Sequence, residues 1–245
     1  MGKADLHIHT TYSDGLGTVR ATLEAASRTD LDVIAITDHD EVRGALQAAE
    51  LAPRYGLEAI PGVEITTRQG HLLALFVEQA FPRGLSLRDT VLRVAEHGGI
   101  CIAAHPTGQG VPSLTAGAIR GALQDPDVAR SLLGLEVYNG GLPLLRNNRE
   151  AEALCAQVGL ARLANSDSHL LWTIGFCATL FPGTSSRHLR RAIERRLTVP
   201  VAGKRPFRFF TDWAWSKLLR GAGLGYATRQ PGDRWVLRRL SRVQP

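Results

Sequence analysis

The sequence predicts an α/β fold, a parallel sheet closed into a barrel with helices packed outside it. Three observations predict it. Short apolar runs alternate with segments of helical period, about seven such strand–helix units follow one another, and 245 residues is an ordinary length for a single α/β barrel. With 44% hydrophobic and 21% charged residues, the composition is that of a chain able to bury a core, not of a disordered one.

The first strand covers residues 5–9, where Leu6 and Ile8 alternate with Asp5, His7 and His9. Successive strand side chains point to opposite faces, so the three ionisable groups are expected on one face. Residues 10–17 are rich in Gly, Ser and Asp and read as a loop, after which Thr18 caps a helix to about residue 28. Residues 32–37 form a nearly continuous apolar run of the kind found in buried parallel strands, ending in Asp38-His39-Asp40. A helix over 42–55 stops at Gly56, and a strand runs on to Glu64. Next come a strand over 71–77, a helix over 86–97 closed by Gly98-Gly99, and a strand over 100–104 ending in His105-Pro106. Residues 109–132 read as loop and helix. A strand over 133–138 leads to Asn139-Gly140-Gly141, and a helix over 144–158 leads to a strand over 160–165 that ends in Ser166-Asp167-Ser168-His169. A strand over 176–181 and a helix over 186–196 complete the pattern.

Composition excludes several classes. Cys101, Cys155 and Cys177 are odd in number and unpaired in the sequence, which argues against a disulfide framework and fits a reducing, cytoplasmic setting. No apolar leader or membrane-length apolar run is present, so neither secretion nor an integral membrane segment is expected. The net charge of +6 is concentrated in residues 204–245, which carry ten basic residues against Asp212 and Asp233. That leaves the first 203 residues at −2, so the basic character belongs to the tail.

Ionisable residues collect where the strands end. Of eight histidines, His7, His9, His39, His105 and His169 lie at predicted strand ends and His71 opens a strand. Asp14, Glu64 and Asp167 accompany them. The carboxyl ends of barrel strands are where such folds assemble their sites. Imidazole and carboxylate suit zinc, manganese and iron alike, and magnesium is admissible. Six histidines and three carboxylates exceed what one four-coordinate ion needs, so two or three divalent ions fit better, with Glu64 as the candidate bridge.

Asp5-Leu6-His7-Ile8-His9 with Ser13-Asp14-Gly15, Ile36-Thr37-Asp38-His39-Asp40, Pro61-Gly62-Val63-Glu64, Ala104-His105-Pro106 and Ser166-Asp167-Ser168-His169 are similar, in order, to the motifs of the polymerase and histidinol phosphatase (PHP) family. The resemblance covers residues 1–200. It implies a distorted seven-stranded β/α barrel, placed over residues 1–203; by composition, 204–245 form a basic, aromatic C-terminal extension. It also implies a two- or three-metal phosphoesterase site. His7, His9, Glu64 and Asp167 would hold one ion, Glu64, His71 and His105 a second, and Asp14, His39 and His169 a third. Asp5 and Asp38 are expected behind the ligands, orienting histidine rings, with Asp38 also able to cap the following helix.

The chemistry expected from such a site is attack on phosphorus by a hydroxide formed between two ions, with His39 or Asp14 assisting the leaving oxygen. Arg146 and Arg149, just beyond the Asn139 strand end, are candidates to hold a phosphate. Asp14 together with the Gly-Val-Glu motif resembles the branch acting on nucleotides or short oligonucleotides. Rival readings are a histidinol-phosphate-type phosphatase, an amidohydrolase-type metal hydrolase and a non-catalytic metal-binding scaffold. The carboxylated-lysine version of the amidohydrolase is disfavoured, because only Lys3, Lys204 and Lys217 are present. Residues 207–220 mix aromatic and basic side chains, and suit either packing on the barrel or contact with a membrane surface or nucleic acid.

Overall fold

A computed structural model describes residues 1–142, 145–203, 209–227, 234 and 236–239. Its centre is one nine-stranded sheet made of β1 (Gly2–Ile8), β2 (Val33–Ile36), β3 (Glu58–Thr66), β4 (His71–Leu75), β5 (Ile100–Ala103), β6 (Leu132–Asn139), β7 (Ala161–Asn165), β8 (Ala178–Phe181) and β9 (Val199–Val201). The order is β7-β6-β5-β4-β3-β2-β1-β8-β9. The sheet curls until it nearly closes. Past the end of β7, the Ser168 amide donates to His7 O and the His9 amide to Ser168 O, at 3.1 and 2.9 Å.

The expected seven parallel strands therefore become nine, and the sheet is mixed. β4 runs antiparallel to both β3 and β5, and β8 antiparallel to β1 and β9. Only residues 67–70 separate β3 from β4, too few for the crossover of a dozen or more residues that a parallel return needs. The link is a hairpin instead, closed by Thr67 N donating to Gly70 O at 3.1 Å.

The helices form where the caps and apolar stripes require them. Thr18 caps α1 (Val19–Ala26) by accepting from Ala21 N, and Ser86 caps α3 (Leu87–Glu96) by accepting from Asp89 N. After α2 (Arg43–Leu51), a short 3-10 turn ends at Gly56 with φ +70°. The ambiguous stretch after β5 contains two short helices, α4 (Ala116–Ala122) and α5 (Pro126–Ala129), and α6 (Leu145–Val158) connects β6 to β7.

Alternation within the apolar runs sorts the core. Val33 and Ala35 join Ala4, Leu6, Ile60, Leu73 and Leu163 inside the sheet. Ile34 and Ile36 face α1 and α2. Leu189, Ala192 and Ile193 of α7 (Ser186–Glu194) close the interior cluster. Strand β1 departs from strict alternation, because its pairing with β2 shifts between Asp5 and Ile8. Leu6 accordingly packs inside, whereas Ile8 joins the helix-facing cluster.

Beyond β9, α8 (Phe209–Gly221) and β10 (Leu224–Ala227) lie against the barrel, and β10 pairs antiparallel with β11 (Val236–Arg239). Phe207 and Arg208 fall outside the described residues. Leu219 is buried against Leu16 and Leu170, while Trp215 and Leu218 face outward, so only one face of α8 is packed. No helix among the described residues is long and apolar enough to cross a membrane.

Candidate metal centre

Glu64 is the hub of one rim. Near the end of β3, its carboxylate is fully buried, and its Oε1 lies 3.0 Å from both His71 Nδ1 and His105 Nε2. Oε2 lies 3.2 Å from His7 Nε2, 3.3 Å from His9 Nε2 and 3.1 Å from His39 Nδ1. Five imidazoles thus converge on one carboxylate. The reversal of β4 explains how His71 takes part: as the first residue of an antiparallel strand, it stands at the same rim as the last residues of the parallel strands.

Two further carboxylates extend the cluster. Asp167 Oδ1 is 3.4 Å from His7 Nε2 and 3.2 Å from His9 Nε2. Asp14 Oδ1 is 3.1 Å from His169 Nε2, 3.5 Å from His9 Nδ1 and 3.8 Å from His39 Nε2. Two of these residues sit on unusual backbone: His105 has φ 28° and Asp167 φ 50°. Non-glycine residues take such values at a cost of about 1–3 kcal/mol each, a kind of strain that gathers where geometry serves a site.

Apart from the hydrogen bond between His105 Nε2 and Glu64 Oε1, most of these atoms point inward without satisfying one another. His7 Nε2, His9 Nε2, His39 Nδ1, His71 Nδ1, Asp14 Oδ1 and Glu64 Oε2 are all buried and lack an aligned hydrogen-bond partner. A buried polar atom left unpaired costs about 1–3 kcal/mol, so six in one place mark a centre shaped for cations. All nine residues expected as ligands fall into four overlapping groups: His9, Asp14, His39 and His169; His7, His105 and Asp167; His7, His9 and Glu64; His39, Glu64 and His71. Within each group the donor atoms lie within 4.8 Å of one another. Imidazole nitrogens and carboxylate oxygens are the donor set that first-row divalent ions take.

Charge is distributed accordingly. At Glu64, burial opposes ionisation, but His7 and His39 overcome it and hold the carboxyl well below its usual range. At Asp167 burial is likewise outweighed, chiefly by His7. Burial also opposes the charge on His7, yet Asp167, Glu64 and Glu136 raise that ring well above its ordinary value. His9 and His39 are lowered, first by burial. His169 is raised to about 9 against the pull of burial, by Asp14.

Asp5 and Asp38 support the rim from behind, by another route than ring orientation. Asp5 accepts from Ser166 N at 3.0 Å and Gly175 N at 2.9 Å, which ties β1 to the segment carrying Asp167, and burial pushes its pKa up to about 6. Asp38 accepts from Thr10 N, Thr10 Oγ1 and Ser13 Oγ at 2.6–2.7 Å and so pins the loop that bears Asp14. It does not cap α2; Glu41 Oε1 accepts from the amides of Val42 and Arg43 instead.

The ring of His7 is oriented by a residue away from the strand ends. Glu136, fully buried within β6, accepts from His7 Nδ1 at 2.9 Å and from His105 N at 2.7 Å. It also accepts from Asn139 Nδ2 and Asn165 Nδ2. Its bond to Nδ1 leaves His7 Nε2 free to face Glu64 and Asp167.

The expected phosphate arginines lie elsewhere. Arg146 pairs with Glu150 along the exposed side of α6, and Arg149 lines a separate hollow with Tyr138, Glu152 and Pro200. Neither lines the pocket over the histidines. Arg220 of α8 does, together with Ser216, Val111, Pro112, Leu170 and Thr173.

Comparison with known proteins agrees with this geometry. The family model for the PHP domain matches residues 5–157, more than half of the chain. The chain belongs to the PHP domain family. A second model, the PHP-associated segment, matches residues 146–198 and takes in Asp167 and His169, so the matched portion of this PHP protein ends before α8. Among its relatives, phosphoribosyl 1,2-cyclic phosphate 1,2-diphosphodiesterase of Eggerthella lenta is 37% identical over 94 residues, 36% of either chain. A 5'-3' exoribonuclease of Haemophilus influenzae is 32% identical over 133 residues, 53% of this chain and 48% of that one. The chain thus spans half or less of the length of these two curated relatives. A two-domain protein of Bacteroides vulgatus, containing a predicted PHP-like metal-dependent phosphoesterase, shares the fold with a TM-score of 0.68 at 21% identity, covering 91% of this chain and 70% of that one.

Proposed function

We propose that this PHP protein is a metal-dependent phosphoesterase that hydrolyses a phosphate ester of a nucleotide or short oligonucleotide. The observation that carries the reading is the set of inward-facing, unpaired nitrogens and oxygens around Glu64. Two or three divalent ions, among manganese, zinc, iron and magnesium, fit the donors. His7, His9, Glu64 and Asp167 would hold one ion, Glu64, His71 and His105 a second, and Asp14, His39 and His169 a third, as their mutual approach allows. Bound there, such ions supply Lewis acidity that activates water and neutralises charge on the phosphate oxygens.

The protein side of the chemistry is positioning. Glu136 and the Asp167 carbonyl, which lies 3.1 Å from His169 Nδ1, fix the tautomers of the rings they accept from. Asp38 holds the Asp14 loop in place. Asp14 is held ionised, chiefly because its close contact with the His169 ring outweighs burial, and burial lowers His39, so neither is in its acid form at pH 7. We therefore assign both to ion binding rather than to protonating the leaving oxygen. Among the described residues no lysine lines the pocket, which speaks against a carboxylated-lysine bridge.

The names of the two relatives, one carrying a phosphoribosyl cyclic phosphate and the other RNA, favour a substrate built on ribose phosphate. In this reading residues 1–203 form the hydrolytic domain and 204–245 its extension, and an odd number of buried cysteines suits the cytoplasm. The test is hydrolysis of nucleoside phosphates and short oligoribonucleotides by protein reconstituted with each metal in turn. Turnover abolished by Glu64→Gln is expected; inactivity with all four metals overturns the assignment.

A further inference from the structure

Helix α8 lies outside both matched family segments, yet it supplies a wall of the pocket. Several contacts fix it there. Leu219 is buried between Leu16 and Leu170. Trp172 Nε1 donates to Asp212 Oδ2 at 3.0 Å, and the Trp172 ring meets Tyr226 edge-on at 5.9 Å. Past the helix, Tyr226 N donates to Leu16 O at 2.6 Å and Thr18 N to Tyr226 O at 2.8 Å. Every anchor lies on the two segments that carry Asp14 and His169.

From that position Arg220 reaches the rim. Its Nη1 donates to Asp14 O at 2.6 Å and lies 3.2 Å from Asp14 Oδ2. The two oxygens of Asp14 are thus divided: Oδ1 faces His169, His9 and His39, and Oδ2 faces the guanidinium. Among the described residues lining the pocket, Arg220 is the one lysine or arginine. Its side chain is 42% exposed, so its remaining donors are accessible.

Charge decides what this guanidinium is for. Without ions, Asp14 is its counter-ion. Once the carboxylate serves a divalent cation, the guanidinium stands beside like charge, an arrangement that an intervening anion relieves. The planar fork of arginine matches phosphate oxygens. We propose that Arg220 is a substrate-binding residue, holding an anionic oxygen of the phosphate ester, and that the extension rather than the barrel contributes this contact. The proposal rests on the phosphoesterase reading above.

The test uses the metal-loaded full chain, with inorganic phosphate and 4-nitrophenyl phosphate as probes. In Arg220→Ala the calorimetric Kd for phosphate and the KM for the ester are expected to rise about ten- to a hundredfold, as for the loss of one or two charge-assisted hydrogen bonds, with a smaller change in kcat. Bound metal, counted by atomic emission, is expected to stay at the wild-type level, because removing a neighbouring cation does not weaken a cation site. Arg220→Lys is expected to recover part of the affinity, since it restores the charge but not the fork. Unchanged phosphate affinity in an active Arg220→Ala protein overturns the role of Arg220 alone. Loss of a metal equivalent shows instead that the residue acts structurally through Asp14, and also overturns the proposal. A metal-loaded wild type that neither binds phosphate nor turns over an ester overturns this inference together with the reading beneath it.

Discussion

His169 shows how single residues tune the centre. Burial works against its charge, but Asp14 raises its pKa from 6.5 to about 9. In the metal-free protein the protonated ring therefore adds stability that is complete below about pH 6.5 and is lost as pH rises through about 9. Ion binding needs the neutral imidazole, so uptake must expel that proton and become more favourable over the same interval. Calorimetry in buffers of different ionisation enthalpy should record proton release at pH 7, with apparent affinity increasing up to about pH 9. A pH-independent affinity would contradict the assignment. At this scale the cluster was legible because histidines at strand ends are uncommon enough to notice. Glu136 was not. It stands between Leu135 and Val137 in the middle of a strand and carries no motif. The usable signal was its charge in an otherwise apolar run: a buried carboxylate needs partners, and here they are His7, His105, Asn139 and Asn165.

At the scale of elements, the loop over residues 10–17 has the tightest requirement. A Cβ on Gly15 would lie 2.2 Å from the His9 carbonyl oxygen and 2.7 Å from Thr10 N, backbone atoms that cannot swing aside. Gly15→Ala must therefore displace the segment carrying Asp14, and about 1–3 kcal/mol of stability should go with the strain. The expected result is loss of the ion shared by Asp14, His39 and His169 while the Glu64 ions stay, read as about one metal equivalent fewer and a lower Tm. Full metal content with an unchanged Tm would refute it. The sequence made this segment readable as a loop through its Gly, Ser and Asp content, and Thr18 and Ser86 as helix starts. Strand direction was harder, because periodicity reports which residues are buried and not which way a strand runs. The four-residue connection before His71 held the missing information, since its length admits only a hairpin. Reading that length would have turned β4 around and put His71 at the correct rim from sequence alone.

At the scale of the whole molecule, the centre and the fold stabilise each other. Strands β1, β3 and β4, the segments following β2, β5 and β7, and the loop before α1 each deliver at least one donor to the rim, so ions held there would crosslink most of the barrel. The extension was the least legible part, because mixed aromatic and basic residues read equally well as a packed face or a docking face. The structure packs one face of α8 through Leu219 and leaves Trp215 exposed on another. A ligand that binds only the folded chain at a hundred times its Kd adds about 2.7 kcal/mol per site, and in a chain of this size each kcal/mol moves Tm by about 2–4 °C. Stripping two or three ions should therefore lower Tm by about 10 °C or more, reversed by adding metal back. The stripped protein should still melt cooperatively, because the protonated rings of His7, His105 and His169 offset the carboxylates left without cations. That compensation fails in alkali, where the rings lose their protons and the acids repel. The gap in Tm between loaded and stripped protein should accordingly widen from pH 6 to pH 9. Scanning calorimetry across that range measures it, and a gap that stays constant or narrows would show that the imidazoles and acids do not act as one shared cage.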